Sequence, residues 1–543
     1  MAIEWRGIED VEVKFSPSRW VKFEFSNITY ALVPRYIAGC ETPFSVETFD
    51  ENGWSYFFIS TSENNMKGPS IRCSTGINRG CPIFFAKVGN KLTFSDYCKV
   101  LFSSEIVAGL DEVSTLEFLS FGFVTSRETM IKGVFQLQAG EIAMLDSGTF
   151  RTSIGYEYSA KELITDENLL LEELSKTSEE LFDESIRMLK GKTAVVPLSG
   201  GYDSRFIAAM LKLGGYENVI CVTYGLNNNP DSLESQRIAN KLGFKWMYVE
   251  YSKKKWHEIF RSEIYENYID SSHNYCAVSH YQEFPLLLSI KDSLGEYVIF
   301  LPGHTILSAS QYLPTFSNKE SILELENQII NKHYNLRCKP ANRKVINKLH
   351  EIILDYNDRG LSQFQIFEIW NWRERQSKFI TSANRVYEYF GFQWAMPLFQ
   401  KRYMDFWKRV AFQFKFQKRL YHQFLNTKVF NQFQISFAQT NVSEGDRSGD
   451  QERLRWYLTK EKLKKYDFLI ALYLKISRFG GLHSKNTCGF DVANPYLRKL
   501  AQTRDRKRYL WMEEIIKQEF GSVRSLDPMV FVAEYIYSKI ASN

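Results

Sequence analysis

The sequence predicts an α/β protein with a β-rich N-terminal domain and a second domain built on a doubly wound parallel sheet with a helical C-terminal part. Three observations carry this prediction. The chain has 543 residues, which is too long for one hydrophobic core. Its first 155 or so residues contain short runs of alternating polar and apolar residues separated by turns. From residue 193 onwards, strand-like and helix-like runs alternate.

The N-terminal domain is predicted to consist mainly of short strands. The strand-like runs are "VEVKFS", "WVKFEF", "YALVPRYI", "WSYFFIS", "PIFFAKVG" and "KLTFSD". The run "TLEFLSFGF" has helical periodicity, and "GVFQLQAGEIAMLDSGTF" then has the pattern of a β-hairpin. We place the domains at residues 1–158 and 159–543.

The second domain is predicted to begin with a long helix and to continue into the parallel sheet. Asp166 suits the N-cap and Gly191 the end of the helix "ENLLLEELSKTSEELFDESIRMLK". Strands and helices then alternate through "TAVVPL", "SRFIAAMLKLGG", "NVICVTYG", "SLESQRIANKLG", "FKWMYVEY", a helix at 281–293 and "EYVIFLPG". The remainder is mostly helical, with a polar loop at 439–452. An amphipathic run at 462–479 suits a core-facing helix, with a membrane-surface helix as the alternative.

Composition and charge exclude several classes of protein. The 44% apolar and 24% charged residues are ordinary for a soluble globular protein. The net charge of +5 is spread along the chain, whereas binding of nucleic acid calls for a concentrated basic face. No run reaches the roughly 18 apolar residues of a membrane span, and the N-terminus lacks the apolar core of a signal peptide. We therefore expect a cytoplasmic protein with no membrane span and no nucleic-acid partner.

The cysteines indicate free thiols in a reducing compartment. They lie at positions 40, 73, 81, 98, 221, 276, 338 and 488. No two of them form a CxxC pair, and their spacing suits neither a disulfide framework nor a zinc site.

The stretch "SGGYDS", residues 199–204, lies between a predicted strand and a predicted helix and is called the phosphate loop below. Amide groups at the start of a helix have no partner within the helix, and the helix dipole gives them partial positive charge. Gly200 and Gly201 let the backbone approach a ligand closely, and the two serines add hydroxyl donors. The loop is therefore predicted to bind phosphate or pyrophosphate, which Asp203 would reach through Mg²⁺.

The phosphate loop resembles the SGGxDS pyrophosphate loop of the ATP pyrophosphatases, enzymes that split ATP between the α and β phosphates. It is not a Walker loop, which requires GxxxxGK[ST]. The alternative is an ordinary strand-to-helix turn capped by serine. The match at all six positions, in a strand–turn–helix context, favours nucleotide binding.

Sequences on both sides resemble the asparagine synthetase family. "VTYGLNNNPDSLESQRIANKLGFKWMYVEY" resembles the family's second strand and helix, and residues 373–407 resemble a later helix and its Pro-containing segment. Upstream, "FSDYCKVLF", "STLEFLSFGFV" and "GVFQLQAGEIAML" resemble the closing part of the family's glutaminase-like domain. The resemblance covers most of the chain, is strongest over 195–250 and is weakest before residue 80.

The resemblance implies an N-terminal Ntn-hydrolase-like domain of the class II glutamine amidotransferase type and an adenine-nucleotide alpha-hydrolase-like second domain. It implies a ligase that uses ATP and Mg²⁺ to convert a carboxylate to an acyl-adenylate, with release of pyrophosphate. Ammonia or an amine would then form the amide. The carboxylate would be aspartate-like, a uronic acid or a peptide, and a homodimer is left open.

The resemblance also implies a set of site residues, with the nucleotide at the carboxyl ends of the strands. The expected ATP-binding residues are Leu198, Ser199, Gly200, Gly201, Asp203, Ser204, Val222, Tyr224, Pro302 and Gly303, with Asp203 also as the metal ligand. Lys418 and the more weakly matched Arg385 are the candidate catalytic cations, and a solvated surface charge is the alternative for each. His304 is the candidate general base, with a hydrogen-bonded loop histidine as the alternative.

Three departures from the family pattern remove expected catalytic groups. The family's nucleophilic cysteine follows the initiator methionine, but Ala2 stands there, so we expect no glutaminase activity and a structural or docking role for the first domain. The acids that the family carries after the Pro-Gly turn are replaced at 306–308. Gln400 stands where an aspartate is common.

Two other functions stay open. The missing acids suggest a catalytically silent member that binds nucleotide or a partner as a regulatory subunit. A nucleic-acid-modifying pyrophosphatase, such as the loop relatives that thiolate tRNA, is the third reading. The chain lacks the catalytic cysteine pair and the concentrated basic face that this reading requires.

Overall fold

The computed structural model describes most of the chain up to residue 436 and a short segment near its end. The described residues are 3–26, 29–34, 45–60, 69–101, 109–227, 229–295, 297–308, 322–334, 342–436, 518 and 528–540. Ala2, the predicted loop at 439–452 and the predicted amphipathic helix at 462–479 lie outside them. Within these ranges, no helix is both long and apolar enough to cross a bilayer.

The N-terminal part of the α/β fold contains two β-sheets. Their strands are β1 (Glu4–Trp5), β2 (Asp10–Lys14), β3 (Trp20–Ser26), β4 (Thr29–Pro34), β5 (Ser55–Ser60), β6 (Ser70–Thr75), β7 (Phe84–Val88), β8 (Lys91–Ser95), β9 (Val134–Gln136), β10 (Glu141–Asp146) and β11 (Thr149–Ile154). Seven antiparallel strands form one sheet in the order β1-β11-β10-β6-β5-β4-β3, and the other has the order β2-β8-β7-β9. Helices α1 (Val46–Asn52) and α2 (Glu112–Phe121) complete this part.

The two N-terminal sheets share one apolar core. Phe57 of the larger sheet and Phe94 of the smaller sheet are fully buried, with ring centroids 5.0 Å apart. Alternating apolar residues on the strands produce this core, since every second side chain of a strand points to the same face. The predicted hairpin is only partly right: β10 and β11 form it, whereas β9 pairs with β7 in the other sheet. The Ntn-hydrolase-like assignment and the domain boundary at 158 stay predictions.

A parallel five-stranded sheet forms the centre of the second part. Its strands are β12 (Thr193–Pro197), β13 (Val219–Gly225), β14 (Lys245–Glu250), β15 (Val298–Phe300) and β16 (Gln393–Trp394), in the order β14-β13-β12-β15-β16. The chain builds outwards from β12 to β14 and then returns to the other side of β12. The strand order therefore reverses between β12 and β15. Open α/β sheets bind ligands outside the carboxyl ends of the strands at such a reversal.

Helices follow the strands of this sheet and form most of the remaining described structure. They are α3 (Glu167–Leu189), α4 (Tyr202–Leu213), α5 (Pro230–Leu242), α6 (Lys253–Ile259), α7 (Glu263–Ser272), α8 (Phe284–Ile290), α9 (Ile322–His333), α10 (Arg343–Asn357), α11 (Gln363–Trp370), α12 (Arg385–Tyr389), α13 (Lys401–Trp407), α14 (Phe412–Lys415), α15 (Arg419–Phe424) and α16 (Pro528–Ile540). A π-helical stretch, Asn371–Ile380, continues α11. Asp166 caps α3 as predicted. The helix ends at Leu189, and its C-cap is Lys190, with a left-handed φ of 48°, one residue before the predicted Gly191.

A buried network of charged and polar groups joins the N-terminal sheets to the second part. In the π-helical stretch, Lys378 and Glu374 form an ion pair of 2.5 Å, and their side chains are only 0% and 1% exposed. Glu374 also accepts hydrogen bonds from the Ser126 amide and from Gln138 Nε2, both at 2.9 Å. Each buried charge therefore depends on its partner, since neither is hydrated.

Replacing Lys378 by methionine is expected to lower the free energy of unfolding by about 3–5 kcal/mol, because the Glu374 carboxylate would stay buried without its cation. Urea denaturation of the full chain measures the change. Lys176→Met is the control: Lys176 lies 4.0 Å from Glu180 at the surface, and its loss is expected to cost less than about 1 kcal/mol. Equal effects of the two substitutions would contradict the role of the buried pair.

Candidate functional site

The phosphate loop begins at the end of β12, beside the reversal of strand order. The Leu198 amide donates to the Val222 carbonyl at 2.8 Å, so the strand pairing continues up to the loop. The Leu198 carbonyl accepts hydrogen bonds from Thr223 Oγ1 at 2.8 Å and from Ser235 Oγ at 2.9 Å. Strand β13 and helix α5 thus fix the point from which the loop leaves the sheet.

Hydrogen bonds between the two serines fix the shape of the loop. Ser204 Oγ accepts from the Ser199 amide at 3.0 Å and lies 3.1 Å from Ser199 Oγ. Ser199 Oγ accepts in turn from the Gly201 amide at 3.2 Å. Helix α4 begins at Tyr202, two residues earlier than the predicted helix, so Asp203 and Ser204 lie in its first turn.

No side chain caps the first turn of α4. Gly201 occupies the N-cap position, and the serine cap of the alternative interpretation is absent from this helix. Other helices of comparable length do have side-chain caps: Asp111 caps α2, Asn229 caps α5 and Ser262 caps α7. Amides at an uncapped helix start, with the positive end of the helix dipole, favour an anionic ligand.

Two glycines allow close packing around the loop. A Cβ atom at Gly303 would lie 2.8 Å from the Ser204 amide nitrogen, so the turn after β15 packs directly against the first turn of α4. A Cβ atom at Gly200 would lie 2.7 Å from Asp231 Oδ1. Pro302, which directly precedes Gly303, is buried. The structure thus brings the predicted Pro-Gly turn and the phosphate loop together.

Lys418 lies next to Asp203, although the two residues are distant in the sequence. Lys418 Nζ is 3.6 Å from Asp203 Oδ2, and the lysine side chain is only 10% exposed, unlike a solvated surface charge. Left-handed φ angles of 52° at Gln417 and 55° at Lys418 turn the chain into α15. Tyr421 lies three residues further on, and its hydroxyl donates to Asp203 Oδ1 at 2.8 Å.

Arg205 holds the loop from the helix side. Its guanidinium is fully buried and donates to the Gly200 carbonyl at 3.0 Å, to Glu234 at 2.8 Å and to the Ile435 carbonyl at 2.5 Å. Burial lowers the pKa of Arg205 to about 10, so the group stays charged at neutral pH. Sequence analysis identified neither Arg205 nor Tyr421. The available signals were an arginine directly before the apolar run "FIAAML" and the three-residue spacing from Lys418 to Tyr421.

The contacts of Arg385 lie at the junction with the N-terminal sheets. Arg385 is 5% exposed, donates to the Gly80 carbonyl and to Glu388, and lies 5.7 Å from the centre of the Trp394 ring. Glu388 in turn accepts from Arg19 at 2.9 Å. These contacts connect two parts of the fold and do not fit a solvated surface charge, and a catalytic role for Arg385 stays a prediction.

His304 follows the Pro-Gly turn but is poorly suited to proton removal. Its Nδ1 atom lies 3.4 Å from Nδ2 of the buried Asn384. Burial lowers the pKa of His304 to about 4. A histidine with that pKa is neutral at pH 7 and is only a weak base. The lowered pKa and the contact with Asn384 favour the hydrogen-bonded loop histidine, and the role of general base stays an untested prediction.

Val222 and Tyr224 continue the edge of the sheet beside the loop. Val222 is fully buried in β13 and packs in the core. Tyr224 is half-buried, stacks on Tyr251 with ring centroids 5.1 Å apart, and donates its hydroxyl to Glu283 at 3.0 Å. Their contacts with a nucleotide stay predictions.

The protein groups at the loop suit a magnesium–nucleotide complex. Within the described residues, no group of three or more His, Cys, Asp or Glu side chains could hold a metal ion. Gln400, at the position of the family's aspartate, lies 3.4 Å from Ser185 Oγ. Mg²⁺ is commonly bound through one or two carboxylates together with substrate phosphates. Asp203 beside the uncapped amides of α4 therefore fits Mg²⁺ that arrives with phosphate.

Comparison with known proteins supports a broad class and no single family. No protein-family model matches the chain. It is 36% identical over 89 residues to the tRNA-specific 2-thiouridylase MnmA of Ehrlichia canis (strain Jake), covering 14% of this chain and 23% of that protein. The MnmA of Rickettsia canadensis (strain McKiel) is 34% identical over 95 residues, covering 15% and 24%. The chain thus matches about a quarter of the length of these relatives. This similarity is consistent with an ATP-using pyrophosphatase-loop protein and does not single out the asparagine synthetases.

Replacing Gly303 by alanine is expected to lower the free energy of unfolding by about 1–3 kcal/mol, because the added methyl group would overlap the first turn of α4. Chemical denaturation measures the change. Gly295→Ala is the matched control, since no atom lies within 4 Å of a Cβ at that position. If the two variants are equally stable, the turn after β15 does not pack on the phosphate loop as described.

Proposed function

We propose that this chain is an ATP-dependent ligase of the asparagine synthetase type. It would adenylate a carboxylate, release pyrophosphate, and form an amide with ammonia or an amine. The observation that carries the proposal is the position of Lys418 beside Asp203 of the SGGxDS loop. A cation at this place suits a reaction in which negative charge develops on phosphate oxygens.

Each group at the loop has a role in this proposal. The first-turn amides of α4 would bind phosphate oxygens, and Lys418 would offset the charge that develops on departing pyrophosphate. Asp203 would hold Mg²⁺, which when bound supplies further stabilisation of phosphate charge. Arg205 would keep the Gly200 carbonyl, and with it the loop, in position for these contacts.

The proposed reaction has two steps. A carboxylate oxygen attacks the α-phosphorus of ATP, the bond between that phosphorus and the bridging oxygen breaks, and pyrophosphate leaves. The nitrogen of ammonia or an amine then attacks the acyl carbon, AMP leaves, and the nitrogen loses a proton to form the amide. Because His304 is a weak base, solvent or the departing phosphate group would take that proton.

The N-terminal part would have a structural role. Its loops supply Ser126 and Gln138 to the buried Glu374, and Gly80 to Arg385. Buried charged groups of the second part therefore find hydrogen-bond partners in the first part. We propose that residues 1–158 stabilise the ligase and do not hydrolyse glutamine.

The similarity to MnmA favours a second candidate, a tRNA-modifying pyrophosphatase. Sulfur transfer requires an accessible thiolate. The described cysteines are all buried: Cys73, Cys81, Cys98, Cys221 and Cys276. Burial raises the pKa of Cys221, in the strand beside β12, to about 12. The described part of the chain thus favours the ligase, and Cys40, Cys338 and Cys488 lie outside it.

With Mg²⁺, ATP, ammonium and a panel of carboxylates, the protein is expected to release AMP and pyrophosphate in equal amounts with one of them. The panel contains aspartate, uronic acids and short peptides, and chromatography quantifies the products. Asp203→Ala is expected to reduce the rate by about 100-fold or more. Asp183→Ala, an exposed acid on α3, is the control and should retain the rate. ADP and phosphate as the sole products would contradict the proposal.

Two further arms of the same assay separate the alternatives. AMP release that depends on tRNA and a sulfur donor, and on no carboxylate, would establish the second candidate. Nucleotide binding without AMP release in any arm would establish the catalytically silent subunit that the losses at 306–308 and Gln400 suggest.

A further inference from the structure

We infer that Tyr421 is a positioning residue that orients the metal-binding carboxylate of the phosphate loop. The inference rests on the proposed function, because it assigns Tyr421 a role toward magnesium-bound nucleotide. The Tyr421 hydroxyl donates to Asp203 Oδ1 at 2.8 Å. The SGGxDS motif does not include Tyr421. This residue lies on α15, which is distant from the loop in the sequence.

Packing fixes the Tyr421 ring. The side chain is fully buried, and its ring meets Phe206 of α4 and Trp407 of α13 edge to face, at 6.0 Å and 6.1 Å between centroids. The packed ring thus holds the Tyr421 hydroxyl in place to donate to Asp203 Oδ1.

The hydroxyl makes the two oxygens of Asp203 unequal. Oδ1 is engaged by Tyr421, whereas Oδ2 lies 3.6 Å from Lys418 Nζ, which is beyond an ordinary hydrogen bond. Because Oδ1 is hydrogen-bonded to Tyr421, the carboxylate cannot rotate freely, and the orientation of Oδ2 is fixed. Hydrogen bonds that orient a metal ligand in this way typically change metal affinity by 10- to 100-fold when removed.

A separate contact keeps α15 in place without the hydroxyl. The His422 ring stacks on Tyr202 of the phosphate loop, with 4.1 Å between centroids and 20° between planes. Lys418 begins the same helix and keeps its approach to Asp203. Removing the single oxygen atom of Tyr421 is therefore expected to leave the helix docked.

Titration of the full chain with Mn²⁺ in the presence of saturating ATP, followed by electron paramagnetic resonance, tests the inference. Tyr421→Phe is expected to raise the apparent dissociation constant for Mn²⁺ by about tenfold. ATP binding in EDTA should change by less than about twofold, since Tyr421 does not contact the amides of the loop. Tyr389→Phe is the matched control, because it removes a hydroxyl that donates to the Ile264 carbonyl at 2.7 Å.

A double-substitution experiment separates orientation from a purely structural effect. In an Asp203→Asn background, Tyr421→Phe should change Mn²⁺ affinity no further, because the carboxylate that it orients is gone. Unchanged Mn²⁺ affinity in Tyr421→Phe, or an equal loss in both backgrounds, would overturn the inference. Absence of Mn²⁺·ATP binding by the wild-type protein would instead refute the proposed function, so the two failures are distinguishable.

Discussion

The start of α4 is the constraint around which the site is arranged. A glycine stands at the N-cap, so the first-turn amides have no side-chain acceptor and carry the positive end of the helix dipole. The sheet places this helix start where the strand order reverses, and the hydrogen bonds to Leu198 keep it there. The hydroxyl oxygens of Ser199 and Ser204 accept hydrogen bonds from amides within the loop, so they do not cap the helix. The result is an uncapped set of amide donors that favours an anionic ligand.

The negative charge of Asp203 opposes the binding of an anion at this helix start. A carboxylate beside phosphate is unfavourable unless a cation lies between or beside them. Lys418 supplies a positive charge beside the carboxylate, whereas the charge of Arg205, on the helix side of the loop, is paired with Glu234. Tyr421 adds a neutral donor that restrains the carboxylate without cancelling its charge. In the proposed function, where the sequence has fewer acids than the asparagine synthetase pattern, phosphate would complete the coordination of Mg²⁺.

The sequence predicted the elements of the fold that depend mainly on interactions between residues close together in the chain. Periodicity and capping predicted β12 to β15 and α3 to α5, and the loop motif stood out because glycine and serine spacing is specific. The two-residue strand β16 carries no periodicity and exists only through pairing with β15. The pairing of β9 with β7 also depends on tertiary structure, because β9 directly precedes the β10–β11 hairpin in sequence but pairs in the other sheet. Lys418 was a candidate because of the resemblance. Tyr421 and Arg205 carry only weak local signals, and their contacts with the loop depend on the tertiary structure.

Calorimetric titration of the full chain with Mg²⁺ and ATP tests the central claim, that residues 199–204 bind the pyrophosphate portion of a nucleotide. We expect a saturable heat of binding that excess pyrophosphate abolishes by competition. The absence of any heat, or a heat that pyrophosphate leaves unchanged, would contradict it.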